Sequence, residues 1–377
     1  MVSAGPRDGT GRSIDRRSLL LGSGALVGLL AGCSSKSGRP SGDDGQSSPP
    51  TTSGTGTPQL SLDEFQFPDG ATADGLSASL VDTHTATITG AESVTMSESG
   101  QVNYAGGHTQ DVAVTKRISS AGVRKKATGG DVPEALWVPS GASKSYVRMD
   151  AGFEKKYRID HTDISPDDAL ESTVLTNLLA AGDWGGAVDV VAVDGVPTAH
   201  YRAESIADER ALQRVVYEDS YDGLQADVYV TQDGYVRKYD YDVSGTSSGR
   251  KKSKNLTTTF GKLGETTVSA PEWLSTAKSD GYEFEADVVQ NNRVVQFTDV
   301  NGPDIDGLRA SVSGQGTHAS GRVSETVSEG DTLNLAITEG GTLSTAIDEM
   351  PAQTTSLGDY VYAELRDGKF TLFSGDL

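Results

Sequence analysis

Apolar and polar residues alternate with a period of two over Ser93–Tyr104, Gln110–Ser119, Ala135–Val138 and Lys144–Ile159, which predicts strands. Gly106-Gly107 and Gly129-Gly130 supply joints between some of them. Asp74–Thr87 has a different rhythm. Its Leu76, Leu80, Val81 and His84 fall on one helical face. A second helix is expected from Ser165 to Gly182. Ser165 can cap it, Pro166 suits its first turn, and Asp167, Asp168 and Glu171 favour the positive end of its dipole. Leu170, Val174, Leu175, Leu178 and Leu179 make its apolar stripe. Ala187–Glu204 reads as a hairpin turning at Asp194-Gly195, and Ile206–Tyr217 as a helix introduced by Ser205 and Asp208.

Gly223–Val243 reads as another hairpin, turning at Asp233-Gly234. On its return strand, strict alternation puts Tyr235, Arg237, Tyr239, Tyr241 and Val243 on one face. Val236, Lys238, Asp240 and Asp242 take the other. A basic loop follows, then strands at Leu256–Phe260 and Glu265–Val268. Ser275–Gly281 is a joint. Beyond it come Phe284–Val289, Val294–Asp299, Leu308–Ser313, Gly321–Val327, Thr332–Ile337 and a final hairpin, Tyr360–Leu365 and Lys369–Phe373, around Asp367-Gly368. Short strands at such spacing suggest a small β-sandwich.

The N-terminal stretch is organised differently. Arg16-Arg17 precedes thirteen mostly apolar residues, Leu19 to Ala31, and then Gly32 and Cys33. Thirteen helical residues rise only about 20 Å, short of a bilayer core of roughly 30 Å, so the segment reads as a cleaved export signal. Leu30-Ala31-Gly32-Cys33 resembles a lipoprotein box, in which the cysteine is lipidated and becomes the first mature residue. Arg16-Arg17 followed by Ser18-Leu19-Leu20 resembles a twin-arginine signal, which exports folded proteins. Ser34–Pro58 holds no large apolar residue and reads as a solvated tether reaching roughly 25–30 Å. The expected organisation is therefore a signal over 1–32, a tether over 33–58, a first folded domain over 59–277 and a second over 278–377. Such a chain sits on the outer face of the cell membrane, held by lipid.

The formal charge is −21, and the first 32 residues carry four arginines against two aspartates, so the mature chain is more acidic still. That balance excludes non-specific nucleic-acid binding. It fits a surface built for concentrated salt, where the Debye length falls to about 3 Å and carboxylates barely repel. Tat-exported lipoproteins of this composition look haloarchaeal. The single cysteine, Cys33, leaves none for a disulfide or for thiol chemistry.

The order of elements up to Trp273 resembles the lipoprotein-carrier group that includes LolA and the mycobacterial LppX and LprG lipoproteins. The residues behind the likeness are Tyr229–Lys238, with its turn and Arg-bearing return strand, then Asn255–Phe260 and Val268–Pro271. The resemblance covers roughly Gln59–Trp273. It implies a mainly β, α+β fold in which a curved antiparallel half-barrel sheet wraps helices, and a lipid or lipoprotein ligand in the concave side. It brings no site residues, and the extra C-terminal strands depart from the simplest members.

Candidate chemistry is sparse. No two of His84, His108, His161, His200 and His318 lie within five residues, so no local metal motif forms. His84, on an inward helix face, reads as packing. Gly245–Gly249 matches G-x-S-x-G by chance, because RKKSKN follows instead of a helix start. Asp304-Ile305-Asp306-Gly307 cannot be an EF-hand, since Ser313 stands where the bidentate Glu belongs. A looser cation site there would use Asp299, Asp304 and Asp306. Asn255-Leu256-Thr257 is a glycosylation acceptor pattern. Three basic clusters, Arg124–Lys126, Lys155-Lys156 and Arg250–Lys252 with Lys254, are either solubilising or gather in part on a membrane-facing rim. The chain reads as a non-catalytic lipoprotein without a cofactor, binding an apolar ligand. The alternative is a structural or protein-interaction lipoprotein with a filled half-barrel.

Overall fold

The computed structural model describes residues 60–377, apart from 131, 162–168, 171 and 353. The chain opens with a short hairpin, β1 (Ala71–Thr72) and β2 (Gly75–Leu76), and then α1 (Ser79–Gly90). Six strands follow: β3 (Ser93–Tyr104), β4 (His108–Ser119), β5 (Gly122–Thr128), β6 (Glu134–Pro139), β7 (Lys144–Asp150) and β8 (Lys155–His161). Next come α2 (Ser172–Ala181), β9 (Gly182–Trp184), β10 (Asp189–Val193), β11 (Val196–Ile206) and α3 (Glu209–Val215). Three long strands, β12 (Ser220–Thr231), β13 (Val236–Ser247) and β14 (Arg250–Gly261), lead to α4 (Leu274–Asp280). The last third holds β15 (Tyr282–Val289), β16 (Val294–Asn301), β17 (Arg309–Gly314), β18 (Thr317–Arg322), β19 (Leu333–Ile337), β20 (Leu343–Ile347), β21 (Tyr362–Asp367) and β22 (Phe370–Asp376).

One large, open, curved sheet runs β10-β11-β12-β13-β14-β3-β4-β5-β6-β7-β8-β15-β16-β19-β20, with β9 added onto β11. Every pairing in it is antiparallel except β8 with β15. That join is parallel and two residues long, Arg158 opposite Tyr282 and Ile159 opposite Glu283. α1, α2 and α3 lie on the concave side of the N-terminal part. Leu80, Ile88, Leu175, Leu178 and Leu212 are buried there with Met96, Val228, Val236 and Phe260. A second, four-stranded sheet, β18-β17-β21-β22, closes a separate core over β15, β16 and β19. Val312, Leu365 and Leu372 meet Phe297, Leu333 and Leu335 in it, and Val147 and Met149 of β7 belong to the same core.

Local chemistry explains most elements. Leu80, His84 and Ile88, four residues apart, form the buried face of α1. At the β10–β11 turn Asp194 (φ 49°) and Gly195 (φ 78°) are both left-handed, as a tight type I′ turn requires. Asp233-Gly234 and Asp367-Gly368 turn the other two expected hairpins. α3 is capped by Asp208, whose carboxylate accepts from the Arg210 and Ala211 N–H groups. Ser205 takes no part in that cap. It still belongs to β11, and its hydroxyl donates to Asp183. The proposed cap of α2, Ser165 to Asp168, lies outside the described residues, as does Glu171.

Other expectations change as well: most of Ser275–Gly281 is helix, in α4, and of Gly321–Val327 only the first two residues are strand, at the end of β18. The basic run Arg250–Lys254 is strand, paired with both β13 and β3, because its alternate lysines find aromatic and acidic partners on one face. Glu265–Val268 is not strand; a turn begins at Leu263. On β13 the alternation breaks. Val230 pairs with Val236 while Tyr229 pairs with Lys238, so Arg237 sits in a bulge and Val236 turns inward, fully buried.

Candidate functional site

The concave face of the half-barrel is where the resemblance implies a ligand, and it is largely filled by the chain itself. Leu178 and Leu212 from the helices, and Val228, Val230 and Val236 from the sheet, have no exposed surface. Two polar groups are sealed into this apolar layer. His84 Nδ1 accepts a hydrogen bond of 3.1 Å from the Val236 N–H, which the bulge has turned inward. The imidazole edge meets the Phe260 ring at 4.8 Å, and Nε2 is buried without a hydrogen-bond partner among the described residues. Burial pushes the His84 pKa down to about 4, so the ring is neutral at ordinary pH. Lys116, on the concave side of β4, is 2% exposed, and its ammonium donates to the Ala169 carbonyl at 3.3 Å.

At one end of this layer the packing opens. A cleft of 380 Å³ lies between the C-terminus of α1, the start of β3 and the end of β4. Ile88, Val94, Ile118 and Leu170 form its apolar wall, and Thr89, Glu92, Ser93 and Ser120 its polar part. Glu92 adopts a left-handed φ of 62° immediately after the helix, a conformation that a non-glycine residue seldom takes. The wall combines one helix and two strands, so it depends on the β3–β4 register, in which Val94 opposes Ile118.

A second polar constellation, on the convex side, was not anticipated. His200 Nε2 lies 2.6 Å from Asp227 and its Nδ1 3.1 Å from Asp189, while Arg202 donates to the same Asp227 oxygen at 2.7 Å. The imidazole stacks on Tyr229 at 4.7 Å, and the Lys238 ammonium sits over the Tyr229 ring. No serine, cysteine or threonine is hydrogen-bonded to His200 among the described residues, and Thr198 of the same strand donates to the Val191 carbonyl instead. The network ties β10, β11, β12 and β13 together and has the form of a brace, without a nucleophile.

The residues singled out from sequence are dispersed. Asn255 is exposed in the middle of β14, and its side-chain amide reaches Asp242 at 3.4 Å. Asp306 accepts a hydrogen bond from the Thr326 hydroxyl. Arg124–Lys126 lies far along the sheet from Arg250–Lys252. Lys126 connects across the ladders to Thr259, seven positions or about 23 Å from Lys252. Lys156 is drawn into the join between β8 and the last strands, where it meets Asp367 and stands over the Tyr282 and Phe370 rings. Lys252 pairs with buried Glu218, and Lys251 with Asp222. Arg16, Arg17 and Cys33 lie outside the described residues, and no helix among those described is long and apolar enough to cross a membrane.

Fold and site together define a class, a large, open, curved and almost wholly antiparallel sheet with helices packed on its inner face and a lateral cleft among the described residues. More particularly, residues 23–277 match a family of unknown function (DUF7537), and the chain belongs to that family. The match runs from residue 23 through β14 and ends within α4. No curated protein matches the chain. Among solved structures it is similar to LprF from Mycobacterium bovis, at 12% identity over 52% of this chain and 95% of that one, with a TM-score of 0.33. It is also similar to a LolA superfamily protein from Nitrosomonas europaea, at 7% identity over 52% and 95% of the two chains, with a TM-score of 0.20. A Pseudomonas aeruginosa MucA/MucB complex matches at 13% identity over 72% and 92%, with a TM-score of 0.23.

Proposed function

We propose that this chain is a non-catalytic lipoprotein on the outer face of the cell membrane, exported through Arg16-Arg17, anchored at Cys33, and binding an apolar chain such as that of a lipid. Its acidic surface fits a salt-rich exterior. The observation that carries the binding reading is the cleft beside Leu170. Its 380 Å³ lies within the range of ligand sites, roughly 300–1,000 Å³, and its apolar wall with a few polar groups has the character of such sites. Each Å² of apolar ligand surface removed from water there contributes about 25 cal/mol. The filled concave face limits the ligand to what that cleft admits unless the helices move.

Native mass spectrometry with lipid extraction tests this on a Cys33→Ser chain lacking the signal, purified in molar salt. A stoichiometric lipid that is lost in Ile118→Trp, which fills the cleft, supports the proposal. A clean apo mass with no uptake from vesicles removes it. The packing of Leu178, Leu212 and Val228 at no exposure favours a second reading, in which the half-barrel is a rigid stand and the C-terminal strands make protein contacts.

A further inference from the structure

The described residues include seven large hydrophobic side chains that remain exposed, four of them within the half-barrel: Tyr104, Phe153, Val188 and Tyr217. Three of those four stand at one end of the sheet. Tyr104 closes β3 at the β3–β4 turn, Phe153 is in the β7–β8 turn, and Tyr217 lies just before β12 starts beside the β13–β14 turn. Hairpin turns alternate between the two ends of an antiparallel sheet, so these loops share an end by topology. Phe153 is 81% and Tyr217 73% exposed. Tyr104 is the least free of the three, stacked on His108, under the Lys252 ammonium and donating its hydroxyl to Gln110. Gly106, Gly107, Gly152 and Gly249 all have positive φ, and a side chain added at any of them would meet open space.

We propose that this end of the half-barrel is a membrane-docking edge, in which Tyr104, Phe153 and Tyr217 enter the headgroup layer of a bilayer. The partner follows from three observations. The aromatic tips stand among charges of both signs, Glu154 and Lys155 at one and Asp219, Arg250 and Lys251 at another, so it is the exposed rings that have the character of interfacial anchors. The tips are separate points rather than one continuous apolar patch, which suits a fluid surface better than a shaped protein partner. The third ground rests on the proposed function: an anchor at Cys33 would hold a bilayer at a root-mean-square distance of roughly 25–30 Å from the folded body. Attraction by charge is weak, because Lys251 is paired with Asp222, Lys252 with Glu218, and Lys155 with Asp150. Docking therefore rests on apolar insertion and persists in concentrated salt. The cleft opens at the opposite end, near the β4–β5 turn, so a docked molecule presents it away from the membrane.

The test is vesicle flotation of the Cys33→Ser chain lacking its signal, with phosphatidylcholine and with phosphatidylglycerol vesicles, at low salt and in molar KCl. Binding to both in both salts is expected, with about a tenfold loss in a Tyr104→Ser, Phe153→Ser, Tyr217→Ser variant. Arg250→Gln with Lys251→Gln should change binding less than twofold in molar salt. All five positions are at the surface, and an unchanged unfolding midpoint confirms that the variants fold. Phe153→Ser alone serves as the readout if the triple variant does not. Absence of wild-type flotation, an unchanged triple variant, or binding only to the anionic vesicles at low salt overturns the proposal. So does protection of the three aromatics by a protein partner in place of lipid. Ile118→Trp leaves flotation intact, which separates this edge from the cleft.

Discussion

His84 makes the packing of α1 depend on pH in a way that can be calculated. Its ordinary pKa of 6.5 falls to about 4 through burial alone. Protonation at Nδ1 also places a proton against the Val236 N–H that now donates there. The unfolded chain takes up its proton near the ordinary value and the folded chain only near 4. Stability is therefore complete above about pH 7, falls as the pH drops through 6.5, and levels off below 4. The full difference is about 3 kcal/mol, and near pH 5 about 2 kcal/mol is already lost. The assay is urea unfolding of the Cys33→Ser chain at pH near 7.5 and near 5, in constant molar KCl so that surface carboxylates stay screened. His84→Gln keeps an acceptor for Val236 but cannot titrate. The wild type should lose about 2 kcal/mol more than the variant between the two pH values. Equal losses would refute the account and show that His84 is protonated, or reached by water, in the folded state.

Leu212→Ala, at a site with no exposure between α3 and the sheet, should cost about 2–5 kcal/mol and lower the urea midpoint accordingly. Gly129→Ala puts a Cβ 1.7 Å from the Asp111 carbonyl oxygen at φ +110°, so a loss well above 1 kcal/mol is expected. The same change at Gly90, where a Cβ meets nothing, should be neutral or stabilising by up to about 1 kcal/mol in the same melt. In a full-length chain that also carries Tyr104→Ser, Phe153→Ser and Tyr217→Ser, so that no docking edge remains, Cys33→Ser should move the protein from the membrane fraction to the medium. Retention of that chain on the membrane would remove the anchor.

What was legible in the sequence is what neighbouring residues decide. Asp194-Gly195, Asp233-Gly234 and Asp367-Gly368 announced their hairpins because a tight turn needs those residue types. Leu80 and His84 announced a helix face because four residues span about one turn. Arg237 was misread because nothing local marks a bulge, and the parity of every residue beyond it depends on β12 opposite. Arg250–Lys254 was misread as loop because its lysines gain their company only from distant residues. Lys252 stands over Tyr104 and Lys254 over Tyr241. β20 went unseen because it is a half-buried edge strand with Ser344 and Thr345 in its middle. The cleft and the His200 brace are products of register, which no single stretch of chain contains.

The seam between β14 and β3 sets a timetable for synthesis. Gln101 finds its partner only when Asn255 has been made, and Arg158 waits for Tyr282. At roughly 5–20 residues per second, one flank of β3 is without its partner strand for about 8–30 s. Pairings across so long a stretch fold slowly and expose a newborn strand to foreign partners. On the face of β3 that turns away from the core, the sequence reads Thr95, Ser97, Ser99, Gln101 and Asn103, with Gly100 between them. Such a strand is a poor template for aggregation before its own partner arrives. An export route that carries only finished molecules would give the ribosome and the chain the time that this seam demands.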